Sequence, residues 1–227
     1  MSNWGRRWRQ FEGDAIYWYQ KLVGRTVRWQ IEGRQNLTLA QASKRPFLWS
    51  LWHGLSLPFI MYGYRFMNPH DFCVVVVGDE RSDVLQQLAE RIEASTYAVD
   101  MQGNPMAAGR AVLRVIKAMK KGKQSMLAPD GPDGPAFIPK PGVTFLARKT
   151  EGVVMPVGTW AWPVVKLPRW DQYLIPLPFA KIYIAFGEPI FATKDDDETT
   201  LKEKISQALT AVRHKARQMA GIPQTAE

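Results

Sequence analysis

The sequence predicts an α/β fold: one domain with a mixed, largely parallel sheet flanked by helices, preceded by an amphipathic N-terminal helix. Three observations predict it. Short apolar runs bounded by Gly, Pro and Asp read as buried strands. Between them lie segments whose apolar residues recur three or four positions apart, the helical period. The two kinds of segment alternate along the chain, as they do when helical crossovers connect parallel strands. Of the 227 residues, 46% are hydrophobic and 22% charged, which is the composition of a chain that buries a core. We divide it into residues 1–24, the N-terminal helix, and 25–227, the α/β domain.

The elements follow in order. Trp4, Trp8, Phe11, Ala15, Trp18 and Leu22 share one helical face, with Arg6, Arg7, Arg9 and Lys21 mainly elsewhere. Two readings stand for that face. It packs on the body of the protein, or it lies in a membrane interface with Trp and Tyr at headgroup depth and Arg on anionic lipid. Residues 26–32 alternate and predict a strand; 33–43 predict a loop and a short helix. Residues 47–52 predict a buried strand that ends at Trp52-His53-Gly54. An apolar helix over 55–66 follows, with Pro58 in its first turn, where proline is tolerated. The uncharged stretch between Arg45 and Arg65 has the length of a membrane span. His53, Pro58 and other polar or Gly positions inside it argue for a strand, a loop and a helix instead.

Cys73, the single cysteine, begins the valine run of a buried strand over 72–77. No internal disulfide can form, which fits a reducing compartment. A helix over 82–94 carries Val84, Leu85, Leu88 and Ile92 inward, and 97–99 predict a short strand. Asn104-Pro105 starts the next helix, Asn as N-cap and Pro at the first helical position. It turns Val112, Val115, Ile116 and Met119 inward. Arg110, Arg114, Lys117 and Lys121 form its outer stripe: a solvated face, or a contact for anionic lipid, coenzyme phosphates or an acidic carrier protein. Residues 126–128 predict a strand, 143–148 a helix, and 153–157 and 181–186 strands. The aromatic, proline-rich segment 160–179, with Trp162, Trp170 and Tyr173, separates the last two. A final helix over 198–220 turns Leu201, Ile205, Leu209, Val212 and Met219 inward. Asp195, Asp196 and Asp197 precede its positive end.

Chemistry concentrates at two strand ends. After 126–128 comes Pro129-Asp130-Gly131-Pro132-Asp133-Gly134-Pro135. Pro fixes φ and Gly permits φ > 0, so together they hold a rigid loop. Asp130 is then a solvated turn residue, or a carboxylate where open α/β sheets bind ligands. Calcium takes ~6–8 oxygen ligands, and Asp130 with Asp133 supplies too few. His70 and His214 read as surface residues. His53 ends a buried strand, with Gly54 giving room for a ligand; it is a hydrogen-bonded core residue or a functional one. No second His or Cys stands at ligand spacing, so no metal site is expected. The net charge of +9 favours anionic partners. The cations are spread along the chain and no nucleic-acid motif is present, so no nucleic-acid partner is expected. Glu12-Gly13-Asp14 interrupts any secretory apolar segment.

The motifs occur in a set order: Trp52-His53-Gly54, the Asp130 loop, Lys140-Pro141-Gly142, Val154-Met155-Pro156-Val157, then Phe186-Gly187-Glu188-Pro189-Ile190. In this order they resemble the lysophospholipid (glycerolipid) acyltransferase superfamily. They are most similar to its short bacterial branch with Trp-His-Gly and Asp-Gly-Pro-x-Gly-Pro motifs. The resemblance implies a glycerolipid acyltransferase-like fold. It implies transfer of a fatty acyl chain from acyl-CoA or acyl carrier protein to a hydroxyl of a lysolipid or related lipid acceptor. The acyl donor is a co-substrate, and no other cofactor is implied. The enzyme would sit peripherally on the anionic cytoplasmic face of the inner (plasma) membrane.

In that reading His53 is the general base, acting without a covalent intermediate. Amides of the following helix hold the oxyanion, and Asp130 orients the acceptor hydroxyl. Gly54, Gly131, Lys140 and Gly142 contact substrate. Arg81 or Arg110 stands in for the arginine that the second motif, around Met101-Gln102-Gly103-Asn104, lacks. The superfamily has an Asp five residues after the His, and here that position is Pro58. Asp79, Asp83 or a main-chain carbonyl would then orient the imidazole. Asp133 stands where the motif has a cation, which leaves a neutral or glycolipid acceptor open. A lipid-binding protein that lost catalysis with the motif Asp is the second reading.

Overall fold

The computed structural model describes residues 3–77, 82–91, 93, 95–99, 105–131 and 133–222. Strand β2 (Phe47–Ser50) lies inside the sheet, and all four of its residues are buried. It pairs in parallel with β5 (Gln124–Leu127) on one side and β6 (Val153–Lys166) on the other. The sheet has the order β1-β7-β6-β2-β5-β3-β4, with β8 also on β6. The remaining strands are β1 (Arg28–Glu32), β3 (Phe72–Val77), β4 (Ser95–Val99), β7 (Leu174–Phe186) and β8 (Ile190–Phe191). Only the β6–β7 and β6–β8 pairs among the described strands are antiparallel. The expected mixed, largely parallel α/β sheet is present.

The helices are α1 (Asn3–Thr26), α2 (Arg34–Ala42), α3 (Ser56–Phe66), α4 (Ser82–Arg91), α5 (Pro105–Lys120), α6 (Gly142–Thr150) and α7 (Glu198–Met219). Successive strand residues point to opposite faces, so β2 feeds two cores. Leu48 joins Val115, Met119, Leu146, Ile205 and Leu209 under α5, α6 and α7. Trp49 joins Phe59, Met61, Met155, Ile182 and Ile184 under α1 and α3. Each such side chain, fully buried, contributes roughly 1.5–3 kcal/mol. Helix α7 begins as its sequence suggests. Asp197 caps it, accepting from the Thr200 amide at 2.8 Å, and that bond holds its carboxyl below the ordinary carboxylate range.

Two expectations need correction. The first concerns α1. Trp8, Phe11, Ala15, Trp18 and Leu22 are all exposed, so the apolar stripe does not pack on the body. The helix docks by another face, with Gly13, Gln20 and Val23 buried. Gly13 lets it approach α4 closely: a Cβ there would stand 3.0 Å from the Gln87 side chain. Asp14 takes two hydrogen bonds from Arg91, at 2.8 and 2.7 Å, and the Tyr19 hydroxyl donates to the Pro176 carbonyl.

The second concerns residues 160–179. They are mostly strand: β6 and β7 form one long antiparallel hairpin whose connection is 167–173. Its prolines read as breakers because proline cannot donate to the ladder. Here Pro163 sits at the register shift between Trp162 and Val164, and Pro176 pairs opposite Val164.

Among the described residues no helix is long and apolar enough to cross a membrane. Asp79, Arg81, Ile92, the second motif at 101–104 and Pro132 lie outside the described residues.

Candidate active site

Strands β2 and β5 run side by side in parallel, Ser50 opposite Leu127. Their carboxyl ends therefore deliver Trp52-His53 and Pro129-Asp130 to one place, although 77 positions separate His53 from Asp130. Asp130 Oδ1 accepts the backbone N–H of His53 at 2.9 Å, and Oδ2 accepts that of Phe137 at 3.4 Å. Asp130 is 1% exposed. Burial pushes its carboxyl pKa up, and the two amides pull part of the way back. The Asp130 carboxylate, read from the sequence as orienting an acceptor hydroxyl, clasps two strand-end loops together.

The loop holds its shape by main-chain bonds. The Gly131 amide donates to the Ala128 carbonyl at 3.1 Å, and the Lys140 amide to the Pro129 carbonyl at 2.8 Å. Gly131 and Gly134 have φ of 65° and 70°, values that favour glycine. A Cβ at Gly134 would also lie 2.6 Å from the Trp170 ring. Phe137 packs edge-on against Trp52 at 5.6 Å, and the guanidinium of Arg213 from α7 covers its other side at 3.9 Å.

The imidazole of His53 is held by residues from the β6–β7 connection. Nδ1 is 2.7 Å from Asp171 Oδ2. The Asp171 side chain is 0% exposed, whereas that of His53 keeps 28% of its surface. Arg169 brings its guanidinium to 3.5 Å from each Asp171 oxygen. Trp170 stacks on the imidazole with ring centres 5.6 Å apart at 27°, and Tyr173 lies 5.8 Å away. The Tyr173 hydroxyl accepts from Ser56 at 3.2 Å, and burial pushes its pKa up. No hydrogen bond reaches His53 Nε2 among the described residues.

The other expected residues divide. Gly54 is buried, and a Cβ there would stand 1.9 Å from the Asp171 carbonyl. It therefore makes room for the hairpin rather than for a ligand. Lys140 lies across Gly131, whose added Cβ would meet Nζ at 3.2 Å, so both remain beside the Asp130 loop. Gly142 begins α6 and is exposed. Arg110 is on the exposed face of α5, which packs on β3, β4 and α6; no described contact joins it to His53. The helix-start amides expected to hold an oxyanion are largely occupied. Asp130 takes that of His53, and the short 3-10 turn takes those of Leu55 and Ser56. Among the described residues no group of three His, Cys, Asp or Glu side chains is placed to hold a metal.

Asp171 is the residue that sequence reasoning missed. One signal pointed to it: it is the sole acidic residue from Val153 to Phe186, a run dominated by aromatic and aliphatic side chains. An isolated carboxylate in such a run is expensive to bury unless something pairs with it.

The fold has a counterpart in the crystal structure of the 1-acyl-sn-glycerophosphate (LPA) acyltransferase PlsC from Thermotoga maritima. The TM-score is 0.58 and the identity 18%, over 96% of this chain and 83% of that one. A curated relative, the uncharacterised protein RP090 of Rickettsia prowazekii (strain Madrid E), is 24% identical over 203 residues. That match spans 86% of this chain and 88% of the relative. No protein-family model matches the chain. What the chain shares with PlsC is its fold, a mixed, mostly parallel sheet flanked by helices.

Proposed function

We propose that the protein is an acyltransferase that moves a fatty acyl chain from acyl-CoA or acyl carrier protein to a hydroxyl of a lysolipid or related lipid acceptor. One observation carries the reading. On a fold shared with PlsC, the His53 imidazole stands where β2 and β5 end, fixed at Nδ1 and 28% exposed. A base must be rigid yet reachable, and positioned general bases contribute ~10²–10⁴-fold in rate. Nε2 of His53 takes the acceptor's hydroxyl proton as that oxygen attacks the thioester carbonyl. Asp130 keeps the main chain of His53 in place. Lys140, whose side chain lies beside Gly131, meets a phosphate of donor or acceptor.

The enzyme works peripherally on an anionic bilayer, at the cytoplasmic face of the inner membrane. Supporting this are the outward Trp18 and Leu22 of α1, with the Lys21 ammonium 5.2 Å from the Trp18 ring centre. Aromatic and basic side chains in this arrangement suit a headgroup layer. Phe179, 71% exposed, adjoins the end of the same helix, its amide donating to Thr26 Oγ1 at 3.0 Å.

The test is purified protein with labelled acyl-CoA or acyl carrier protein and mixed lysolipids in vesicles. Transfer by the wild type and its loss in His53→Ala are expected. Equal transfer by the variant removes His53 from the role of base, and no transfer with any donor or acceptor removes the reaction.

A further inference from the structure

We infer that Asp171, reaching in from the β6–β7 connection, is the positioning residue for the His53 base, a job that the sequence around His53 leaves empty. The inference rests on the acyl-transfer reading above and says which group makes its base competent. Five residues after His53 the chain has Pro58, buried in the first turn of α3 and without a carboxylate. The structure supplies one from 118 positions away: Asp171 Oδ2 lies 2.7 Å from Nδ1. A carboxylate facing Nδ1 makes that nitrogen the protonated one, and Nε2 then carries the lone pair. Without such a partner the imidazole distributes between two tautomers and turns about χ2.

The neighbouring groups serve the same geometry. Arg169 stands 3.5 Å from both carboxylate oxygens, so the buried charge has an opposite charge beside it. Trp170 stacks on the imidazole with the rings 27° apart, and Gly134 of the Asp130 loop also lies against it. Gly54 lets the Asp171 main chain approach to a distance that no side chain there would permit. Three segments far apart in sequence, 52–54, 129–137 and 169–173, thus converge on one ring.

The acceptor hydroxyl gives its proton to Nε2 while its oxygen bonds to the thioester carbon. As the C–S bond breaks, the imidazolium returns that proton to the departing sulfur. Through both steps the Nδ1 proton stays on the ring, hydrogen-bonded to Asp171. Asp171 touches no reacting atom, and its effect is exerted through His53.

Asp171 has a bland alternative: it only holds the connection against Gly54. The test separates the two. Protein carrying ¹⁵N-labelled histidine reports the tautomer of each ring directly. In the wild type His53 shows a protonated Nδ1 and a bare Nε2, and Asp171→Glu keeps that signature. In Asp171→Ala the signature is lost, and kcat in the vesicle assay falls about 10²–10⁴-fold while KM changes much less. Asp171→Asn, close in shape, is the second variant; it falls with Asp171→Ala even where Ala disturbs the fold. A folded Asp171→Ala or Asp171→Asn that keeps both the Nδ1-protonated signature and the wild-type kcat overturns the inference. A wild type inactive toward every donor and acceptor, with a tautomer that still follows Asp171, defeats the acyl-transfer reading and leaves the pairing standing.

Discussion

Two loops meet at His53, and their sequences announce them very differently. The one carrying Asp130 is made of Pro, Gly and Asp, follows an inner strand of the sheet, and carries main-chain bonds of its own. The other, residues 167–173, follows a strand that contains proline and carries the one acid of an aromatic run. The second has main-chain bonds of its own as well: the Leu167 amide donates to the Tyr173 carbonyl at 3.0 Å and the Gln172 amide to the Arg169 carbonyl at 3.1 Å. What the second delivers to the site is set by its packing: Trp170 on His53 and Gly134, and Asp171 on Gly54. A loop of Pro, Gly and Asp leaves a local signature in sequence, whereas a pairing across 118 positions does not. The site depends on both.

Four predictions sharpen that contrast, from the largest effect to the smallest. His53→Ala removes the base at the shared centre and lowers kcat in the acyl-transfer assay about 10²–10⁴-fold. Gly54→Ala drives a Cβ into the Asp171 carbonyl, which is backbone and cannot turn aside. Overpacking of this kind costs roughly 1–3 kcal/mol or more, read by urea unfolding, and activity falls because the two loops are forced apart.

Asp130→Ala leaves the His53 amide without its acceptor, a loss of ~1–3 kcal/mol, again by urea unfolding. Asp130→Asn tests the charge alone. Burial raises the Asp130 pKa in the folded protein. A carboxyl with a raised folded pKa contributes stability below its unfolded pKa, and that contribution is lost as pH rises through the folded pKa. The stability of Asp130→Asn relative to wild type therefore increases from acid toward neutral pH. A difference that shrinks over that range contradicts the assigned cause.

The smallest effect on folding lies away from both loops. Trp18→Glu with Leu22→Glu on the outward face of α1 changes stability by no more than about 0.5 kcal/mol. It nonetheless reduces co-sedimentation with anionic vesicles severalfold. Unchanged vesicle binding would remove α1 from the membrane surface.

The sequence made legible whatever local chemistry decides. The apolar runs at 47–52 and 72–77, the helix over 55–66 and the capped α7 all appear near their expected places. The meeting of His53 and Asp130 was also legible, because each closely follows an inner strand of a largely parallel sheet. The full lengths of β6 and β7 were hidden: Pro163, Pro176 and Pro178 suppress a strand reading unless the bulge and pairing that accommodate them are known. The direction of the α1 stripe was hidden too, since Trp and Leu at helical spacing suit a core and a lipid layer equally. Asp171 lay furthest from view. Its role depends on a contact across 118 positions, and only the oddness of a single acid among aromatics marked it.

The most direct test of the account is a double-mutant cycle on acyl transfer with His53→Ala, Asp171→Ala and the pair. If the carboxylate acts only through the imidazole, the double variant is no slower than His53→Ala alone, because groups that work as a unit are strongly non-additive. If the two losses multiply instead, Asp171 acts independently of His53, and the two loops do not form one catalytic unit.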